Sequence, residues 1–307
     1  MIARLGILNR TSAMQYAGRI YRPPSEGDSL ILQLTVGCSH NRCAFCAMYR
    51  DKRFGVRPLA DVFADIEEAA TLYPETRRVF ICDGDALAAG YDAFASVCDQ
   101  LNRRLPALRR IAAYVNARDV LSLSLEQRRS LRDLRFSLGS LGLESGSARV
   151  LERIHKGATP QDMIDAVREA WASDIKISVI ALLGIGGVAL SPEHVVETAR
   201  VINEMQPRLL SFLTTIILPR TPIWRWMEQG DFQPLTERQT IQELCGILDR
   251  LDLQSTIVRA NHRSNLLPLE GRLPRDKAAL LAMLQRAAAL APDEISCVWT
   301  ESEGRFL

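Results

Sequence analysis

The chain alternates short apolar runs with longer amphipathic segments, and this alternation limits the possible folds more than any other feature. Six apolar runs have the composition of β-strands, at residues 29–36, 78–82, 110–115, 134–143, 175–183 and 209–218. The segments between them carry apolar residues at helical spacing, as in residues 59–73 and 91–104. Strand–helix units of about thirty residues predict an α/β fold with a parallel sheet and right-handed crossovers. Periodicity leaves two closures open, a doubly wound open sheet or a barrel that is complete or partial.

Two helix starts are marked by a hydroxyl residue followed by proline. Thr159 precedes Pro160, and Ser191 precedes Pro192. Proline is favoured in the first turn of a helix because the amide it lacks has no partner there. We therefore predict helices that begin at these two positions, the second running to Met205.

Beyond Pro219 the alternation changes character. We predict helices at residues 224–229, 236–251 and 276–290 and one further strand at residues 253–259. The chain is accordingly divided into an N-terminal arm at residues 1–28, a core at residues 29–219 and a C-terminal α/β extension at residues 220–307. We expect the extension to cover the open side of the core and to select the substrate.

Charge and hydropathy exclude several classes of protein. The 307 residues include 38 basic and 36 acidic side chains, a net charge of +2, whereas a protein that coats nucleic acid needs a clear basic excess. The most apolar stretch, residues 175–190, is interrupted by Lys176 and three glycines and is too short to span a membrane. The first residues lack the apolar run of a secretory signal, so we expect a cytoplasmic protein without a membrane partner.

Cysteine is sparse but unevenly distributed. Seven cysteines in 307 residues are too few for a disulfide scaffold. Three of them, Cys38, Cys43 and Cys46, have the spacing C-x4-C-x2-C directly after the first predicted strand. The remaining four are isolated and are expected to be structural: Cys82, Cys98, Cys245 and Cys297.

Three thiolates from one loop can bind a zinc ion or an iron–sulfur cluster. A structural zinc site would need a fourth ligand, and the sequence contains no second C-x2-C pair. Three ligands for a four-iron cluster leave one iron open to a small molecule. The position after a strand places the loop at the carboxyl edge of the sheet, where α/β folds bind ligands.

The cysteine loop resembles that of the radical S-adenosylmethionine (radical SAM) superfamily. In that superfamily three cysteines follow the first strand and an aromatic residue precedes the last of them, as Phe45 precedes Cys46 here. The first gap is one residue longer than the usual C-x3-C-x2-C. The resemblance extends over about residues 29–222 and implies Cys38, Cys43 and Cys46 as ligands of a [4Fe–4S] cluster.

The resemblance also implies contacts to SAM at the ends of the later strands. The implied residues are Asp83, Gly84, Asp85, Tyr114, Asn116, Glu144, Ser145, Gly184 and Gly186. The acidic turn would lie near the SAM amino group, Glu144 near the ribose hydroxyls and the glycines near the adenine. The segment from Gly142 to Gly157 resembles the GLESG…VL…KG pattern of the porphyrin-oxidase-like and elongator-like branches.

This family resemblance implies a partial (β/α)6 barrel and an enzyme. The cluster would reduce SAM to methionine and a 5′-deoxyadenosyl radical, which would take hydrogen from an unidentified substrate. The implied cofactors are the [4Fe–4S] cluster and SAM, and the implied electron donor is a flavodoxin or ferredoxin. A small-molecule substrate is favoured over nucleic acid. Two alternatives stay open, a tRNA-modifying radical SAM enzyme and a non-catalytic haem or cluster chaperone.

Two polar segments have no role in the family pattern. The run of Arg50, Lys52, Arg53 and Arg57 after the cysteines is either a solvated loop or a site for a phosphate or carboxylate. Residues 259–265 form a polar loop after the last predicted strand, at the edge where a barrel meets its substrate. Within that loop His262 is the candidate for polar contact or proton transfer in catalysis.

Overall fold

The computed structural model describes Met14 and residues 16–290. Eight strands form one sheet in the order β1-β4-β5-β6-β7-β8-β9-β10, and a two-stranded hairpin, β2-β3, lies beside it. The strands are β1 Leu30–Gln33, β2 Thr35–Val36, β3 Gly55–Val56, β4 Arg78–Cys82, β5 Arg110–Val115, β6 Phe136–Glu144, β7 Lys176–Leu183, β8 Leu209–Thr214, β9 Thr256–Arg259 and β10 Glu270–Leu273. Within the eight-stranded sheet all neighbours from β1 to β9 are parallel, and only β10 is antiparallel to its partner. Strands β2 and β3 of the hairpin are antiparallel to each other.

Ten α-helices connect and cover the strands. They are α1 Leu59–Leu72, α2 Tyr91–Arg104, α3 Ala117–Ser122, α4 Leu125–Asp133, α5 Ala148–Arg153, α6 Pro160–Trp171, α7 Gly187–Met205, α8 Pro222–Glu228, α9 Glu237–Arg250 and α10 Lys277–Ala289, within the described residues. None of the described helices is long and apolar enough to cross a membrane. Cys297 of the isolated cysteines, together with residues 1–13, lies outside the described residues.

The two faces of the sheet have different roles. Residues such as Val79, Ile81 and Ile111 point outward and belong to the main core that the helices cover. The alternate residues, among them Phe80 and Ala112, belong to a separate, smaller cluster on the inner face. This period of two is that of a β-strand buried on both sides. The predicted partial barrel is confirmed, and its inner face is free to build a cavity.

Several predicted boundaries are confirmed by the structure. The strands at residues 78–82 and 110–115 and the helix at residues 91–104 have the predicted limits. Thr159 caps α6 as predicted, because its side chain accepts the N–H of Asp162 in a reciprocal capping box. At these elements the turn and capping residues of the sequence lie where the buried apolar residues end, so the sequence is sufficient to predict their limits.

The predicted start of the long helix at Ser191-Pro192 is wrong. Helix α7 begins at Gly187, and Pro192 lies within it. The N–H of Val188 in the first turn is bonded to the Gln233 carbonyl at 2.8 Å, so a distant loop satisfies this helix end. The Ser191 hydroxyl donates to Glu243 instead of capping.

The C-terminal region continues the sheet. Strand β9 pairs with β8 in parallel, and β10 pairs with β9 in a segment where the sequence predicts no strand. Strand β8 ends at Thr214, four residues earlier than predicted, and the short helices α3 and α5 are additional. The four residues of β10 are too few to give a distinct strand pattern, and pairing with β9 decides their conformation.

Candidate functional site

The cysteine loop runs from β2 to β3 at the carboxyl end of β1. The thiols of Cys38, Cys43 and Cys46 are free and partly exposed. Between them Ala44 is fully buried, and its N–H donates to the Ile154 carbonyl at 2.7 Å. The Ala44 carbonyl accepts the N–H of Ile223 at 3.2 Å. The loop is thereby fixed to the end of α5 and the start of α8.

Arg50, an exposed residue, holds the loop through two of its carbonyls. Its guanidinium donates to the carbonyls of Cys43 at 2.6 Å and Cys46 at 3.0 Å. The Asn41 side-chain amide donates to the Tyr49 carbonyl at 2.7 Å. The sequence analysis grouped Arg50 with a basic run. It did not predict that Arg50 supports the loop, because these contacts form only once the turn is folded.

The donor chemistry of the loop fits an iron–sulfur cluster. Among the described residues, no three Cys, His, Asp or Glu side chains are arranged around one metal ion. A cluster does not require such convergence, because each thiolate binds a different iron. Burial raises the pKa of the Cys43 thiol to about 11 and also raises the pKa of Cys46. A bound cationic centre is what converts such thiols to thiolates.

Asp83 joins the cysteine loop to the sheet. This fully buried carboxylate accepts hydrogen bonds through Oδ2 from the Gly37 N–H at 3.0 Å and the Gln33 amide at 2.9 Å. Lys52 Nζ lies 2.7 Å from the same oxygen in a buried ion pair. Lys52, which the sequence analysis grouped with the basic run, is therefore an internal partner of Asp83. Oδ1 of Asp83 is buried without a partner among the described residues.

Asp85 has a similar arrangement two residues further along the chain, after the same strand β4. Its Oδ2 accepts from the Ser39 hydroxyl and from Arg118 Nη2 at 3.1 Å, while Oδ1 is buried and unpartnered among the described residues. The side-chain nitrogen of Asn116 is likewise buried without a described partner. Burial, and then the contact with Asp85, raises the pKa of Asp119 to about 7. Buried polar atoms without protein partners are uncommon, and their concentration here fits a polar ligand.

Gly84 lies between the two aspartates under an aromatic ring. A Cβ at this position would overlap the ring of Tyr49, whose side chain is buried. The Gly84 N–H donates to the Gly37 carbonyl at 3.1 Å. Glycine is therefore required by the close approach of Tyr49, a contact that the sequence alone does not reveal.

Glu144 ends β6 in a left-handed conformation with φ of 62°. Its Oε1 lies 2.7 Å from Lys156 Nζ, and both side chains are nine-tenths buried. A Cβ at Gly142 would overlap the Glu144 carboxylate, so glycine leaves room for it. Glu144 is thus a buried carboxylate paired with a cation, and the pairing fixes the direction of the carboxylate.

A buried polar network lies behind the predicted SAM residues Ser145 and Gly184. The fully buried Ser145 hydroxyl is 2.8 Å from Nδ1 of His194. His194 Nε2 lies 3.7 Å from Glu243 Oε1, which accepts the Gly184 N–H at 2.6 Å. Burial raises the pKa of Glu243 to about 7 and lowers that of His194 to about 4. The sequence did not predict this network, because α9 supplies Glu243 from a distant part of the chain.

The two predicted glycines after β7 occupy different environments. Gly184 has φ of 75°, and a Cβ at this position would have no atom within 4 Å, so its backbone is approachable. Gly186 is buried at the N-cap of α7, where a Cβ would lie 3.1 Å from Leu190. Only Gly184 thus combines a left-handed backbone with open space.

The inner face of the barrel encloses a cavity of about 720 Å³. Tyr114 and His262 both line it, and the Tyr114 ring packs edge-to-face on Phe80 with centroids 5.1 Å apart. His262 Nδ1 is 2.8 Å from the Ser264 hydroxyl. The pKa of His262 is lowered mainly by burial and to a smaller extent by the positive charge of Arg263. The volume of the cavity is that of a small-molecule site. The structure therefore brings these two predicted residues to one cavity, which the aspartates and Glu144 do not line.

The N-terminal arm forms one wall of this cavity. Residues 21–26 line it, opposite the strands. Within this segment Glu26 is fully buried and accepts two hydrogen bonds from Arg110 Nη2, at 2.6 and 2.7 Å. The sequence assigned the substrate cover to the C-terminal region alone, because the arm has no pattern that indicates burial.

Comparison with known proteins assigns the larger part of the chain to one family. The model of the Radical SAM superfamily matches residues 32–203, more than half of the chain. An uncharacterized protein of Methanocaldococcus jannaschii is 24% identical over 111 residues, which cover 36% of this chain and 34% of that protein. The chain thus spans about a third of the length of this curated relative.

Solved structures share the fold at low identity. The radical SAM methyltransferase TsrM from Kitasatospora setae, with cobalamin and a [4Fe–4S] cluster bound, has a TM-score of 0.58 at 17% identity, over 89% of this chain and 61% of that chain. Coproporphyrinogen III oxidase (HemN) from Escherichia coli has a TM-score of 0.52 at 17% identity, over 72% of this chain and 50% of that chain. At such identities the likeness establishes the architecture alone.

Proposed function

Because the chain belongs to the radical SAM superfamily, whose members use a [4Fe–4S] cluster and SAM, we propose that Cys38, Cys43 and Cys46 hold the cluster. The observation that carries this proposal is the fixed three-cysteine loop beside buried polar atoms without protein partners. When bound, the cluster supplies the electron that cleaves SAM into methionine and a 5′-deoxyadenosyl radical. The chain itself fixes the thiols through Ala44 and Arg50.

SAM binds at the carboxyl edge next to the cysteine loop. The residues assigned to it are Asp83, Gly84, Asp85, Tyr114, Asn116, Glu144, Ser145, Gly184 and Gly186. The unpartnered atoms of Asp83, Asp85 and Asn116 support direct polar contacts. Gly84 and Ser145 act by shaping their turns, since the Gly84 N–H and the Ser145 hydroxyl already have protein partners.

The substrate is a small molecule held in the barrel cavity. An enclosed space of about 720 Å³ suits such a ligand, and a polymer such as tRNA would have to reach it through an opening. His262 and Asn261, from the C-terminal region, line the cavity and are placed to contact the substrate. The Glu144–Lys156 pair lies in the segment that resembles the porphyrin-oxidase-like and elongator-like branches, and we place the chain with them.

The electron donor is an acidic redox protein such as a flavodoxin or ferredoxin. A groove of about 520 Å³ beside the cysteine loop is lined by His40, Arg42, Arg50, His155 and Gly157, none of them acidic. Positive charge on this side steers an acidic partner toward the cluster. The interaction is expected to weaken as ionic strength rises.

Anaerobic reconstitution with iron and sulfide tests the cluster ligands. The wild-type protein, reduced in the presence of SAM, should show the spectrum of a [4Fe–4S] cluster and release 5′-deoxyadenosine. Cys38→Ala, Cys43→Ala and Cys46→Ala should each lose both properties. Cys245→Ala is the matched control, because this thiol is also partly exposed but lies on α9, outside the cysteine loop. Retention of cluster and product in all three loop variants would refute the proposal, and haem binding without 5′-deoxyadenosine would favour a chaperone.

A further inference from the structure

A second, smaller cavity of about 250 Å³ lies at the amino ends of the strands and is strongly basic. Its cations are Arg110, Lys176, Arg208 and Arg272, and none of its lining residues is acidic. Lys176, Arg208 and Arg272 are solvent-exposed, so water and salt screen their mutual repulsion, but their combined positive potential attracts an anion. We call this cavity the basic mouth. In parallel barrels chemistry occurs at the opposite end, so catalysis does not account for these charges.

Most charges of the basic mouth have no counter-ion. Arg110 is paired with Glu26. Within the described part of the chain, Lys176, Arg208 and Arg272 form no ion pair, and Arg208 donates only to the Ser255 hydroxyl at 2.6 Å. Asp276 accepts the backbone N–H of Arg272, but its carboxylate is paired with Arg275. Three cations are thus available to an external anion.

The basic mouth is continuous with the large cavity. Both spaces are lined by Arg110, Leu138, Leu209 and Ile257. Along β8 the lining continues from Leu209 to Leu213, a distance of about 13 Å at the rise of a strand. At the far end lies Met48, two residues after Cys46. One passage therefore leads from the basic mouth toward the cysteine loop.

The middle of the passage can bind hydroxyl or other polar groups. Tyr114, Ser140 and Ser178 lie side by side on β5, β6 and β7, because Tyr114 pairs with Ser140 and Ser140 with Ser178. All three line the cavity, and their hydroxyls form no hydrogen bond with another described residue. Apolar side chains, including Leu138 and Ile180, lie beside them. The wall thus offers both hydrogen bonds and apolar contact.

We propose, on the basis of the proposed function, that the substrate is an elongated small-molecule anion whose phosphate or carboxylate lies in the basic mouth. Lys176, Arg208 and Arg272 bind this group, since arginine and lysine match both oxyanions. The body of the molecule runs past Ser140 and Ser178, and its reacting end lies near Tyr114 and His262. Three unpaired cations around a space of about 250 Å³ suit one anionic group and not a polyanion.

Binding of matched probes to the reconstituted protein tests this proposal. Isothermal titration calorimetry with SAM present would compare octyl phosphate, nonanoate, octanamide and inorganic phosphate. Octyl phosphate or nonanoate should bind tighter than both octanamide and inorganic phosphate, and the tighter of the two identifies the anionic group. Equal affinity for the charged probes and octanamide would overturn the proposal.

Variants locate the binding site. The double variant Arg208→Glu/Arg272→Glu should lower the affinity for octyl phosphate or nonanoate by at least about tenfold. Its affinity for octanamide should be that of the wild type. Arg129→Glu is the matched control, an exposed arginine on α4 that does not line either cavity. Ser178→Phe should lower the affinity for octyl phosphate to that for inorganic phosphate, because the larger side chain blocks the passage next to the basic mouth. Unchanged binding in the double variant would refute the assignment.

The same samples separate this inference from the proposed function. The cluster spectrum and SAM affinity are measured on each variant, and neither Arg208 nor Arg272 is placed in the SAM site. Loss of the cluster or of SAM binding in the wild type would contradict the proposed function, whereas probe binding reports on the passage alone. Thermal unfolding of each variant identifies any that fails to fold, and Lys176→Glu then provides an independent, exposed substitution with the same expected loss.

Discussion

At the scale of single residues, the predicted site residues differ in what the sequence reveals about them. The cysteines were found because three identical ligands at fixed spacing are improbable by chance and mark a ligand loop. Asp83 and Asp85 were predicted because the family resemblance implies an acidic turn after the second predicted strand. Their partners Lys52 and Arg118 were not assigned to them, because these contacts span more than thirty residues and depend on the completed fold.

Gly84 provides a test of the packing around the cysteine loop. Alanine at this position would force the Tyr49 ring to move, and overpacking of this kind costs about 1–3 kcal/mol. Urea unfolding of Gly84→Ala should therefore show a lower midpoint than wild type. Gly55→Ala is the control, because no atom lies within 4 Å of a Cβ there. Equal loss of stability in both variants would contradict this account.

Glu243 should make the stability of the protein depend on pH. Burial raises its pKa from 4.5 to about 7, so the folded state favours the protonated form. The contribution of this group to stability is complete below pH 4.5 and is lost as pH rises through 7. As the pH rises from 4.5 to 8, the unfolding free energy of Glu243→Gln should increase by about 3 kcal/mol relative to that of the wild type. The contribution of His194, whose pKa is lowered, has the opposite sign and is present in both proteins.

Chemical denaturation of both proteins across this pH range measures the difference. A pH-independent gap between the two stability curves would show that Glu243 does not titrate in the folded protein. Because Glu243 accepts the Gly184 N–H, SAM affinity should be recorded in the same series.

At the scale of helices and strands, the sequence is most informative where local signals agree with burial. The limits of β4, β5 and α2 were predicted without error because each apolar run ends in polar or turn residues. The start of α7 was missed because a backbone group from residue 233 replaces the local cap. Strand β10 was missed because its pairing with β9, and not its composition, makes it extended.

Substitution of Thr159 tests whether its capping hydrogen bond contributes to the stability of the protein. Thr159→Ala removes the hydroxyl that accepts the Asp162 N–H and should lower the unfolding free energy by about 1 kcal/mol. Thr159→Ser keeps the hydroxyl and should remain close to wild type. Urea unfolding distinguishes the two variants, and equal stability of Ala and Ser at this position would show that the cap is dispensable.

At the scale of the whole molecule, the C-terminal region is part of the barrel sheet. Strand β9 is hydrogen-bonded to β8, and α9 buries Ile247 and Leu248 in the main core. The apolar patterns predict the alternating core and the strand that becomes β9. They do not predict β10 or the pairing of β9 with β8, because a pairing partner leaves no local signal in the sequence.

Truncation after residue 219 tests this integration. Removal of β9, β10 and α9 exposes Leu210 and Phe212, which are fully buried. The shortened chain should lack a cooperative unfolding transition, as monitored by circular dichroism, because the lost burial exceeds the few kcal/mol by which domains are stable. A truncated chain that unfolds cooperatively at the wild-type temperature would show that the extension is an independent unit.

The cysteine loop has a consequence for repair of the protein after exposure to oxygen. Its shape is fixed by Ala44, Arg50 and Asp83 through contacts among protein groups. A zinc finger, by contrast, is unfolded without its metal. We therefore predict that a chain that has lost its cluster to oxygen takes up iron and sulfide again without being refolded. Thermal unfolding of the metal-free and refilled proteins should then differ little, and both should share one far-ultraviolet spectrum.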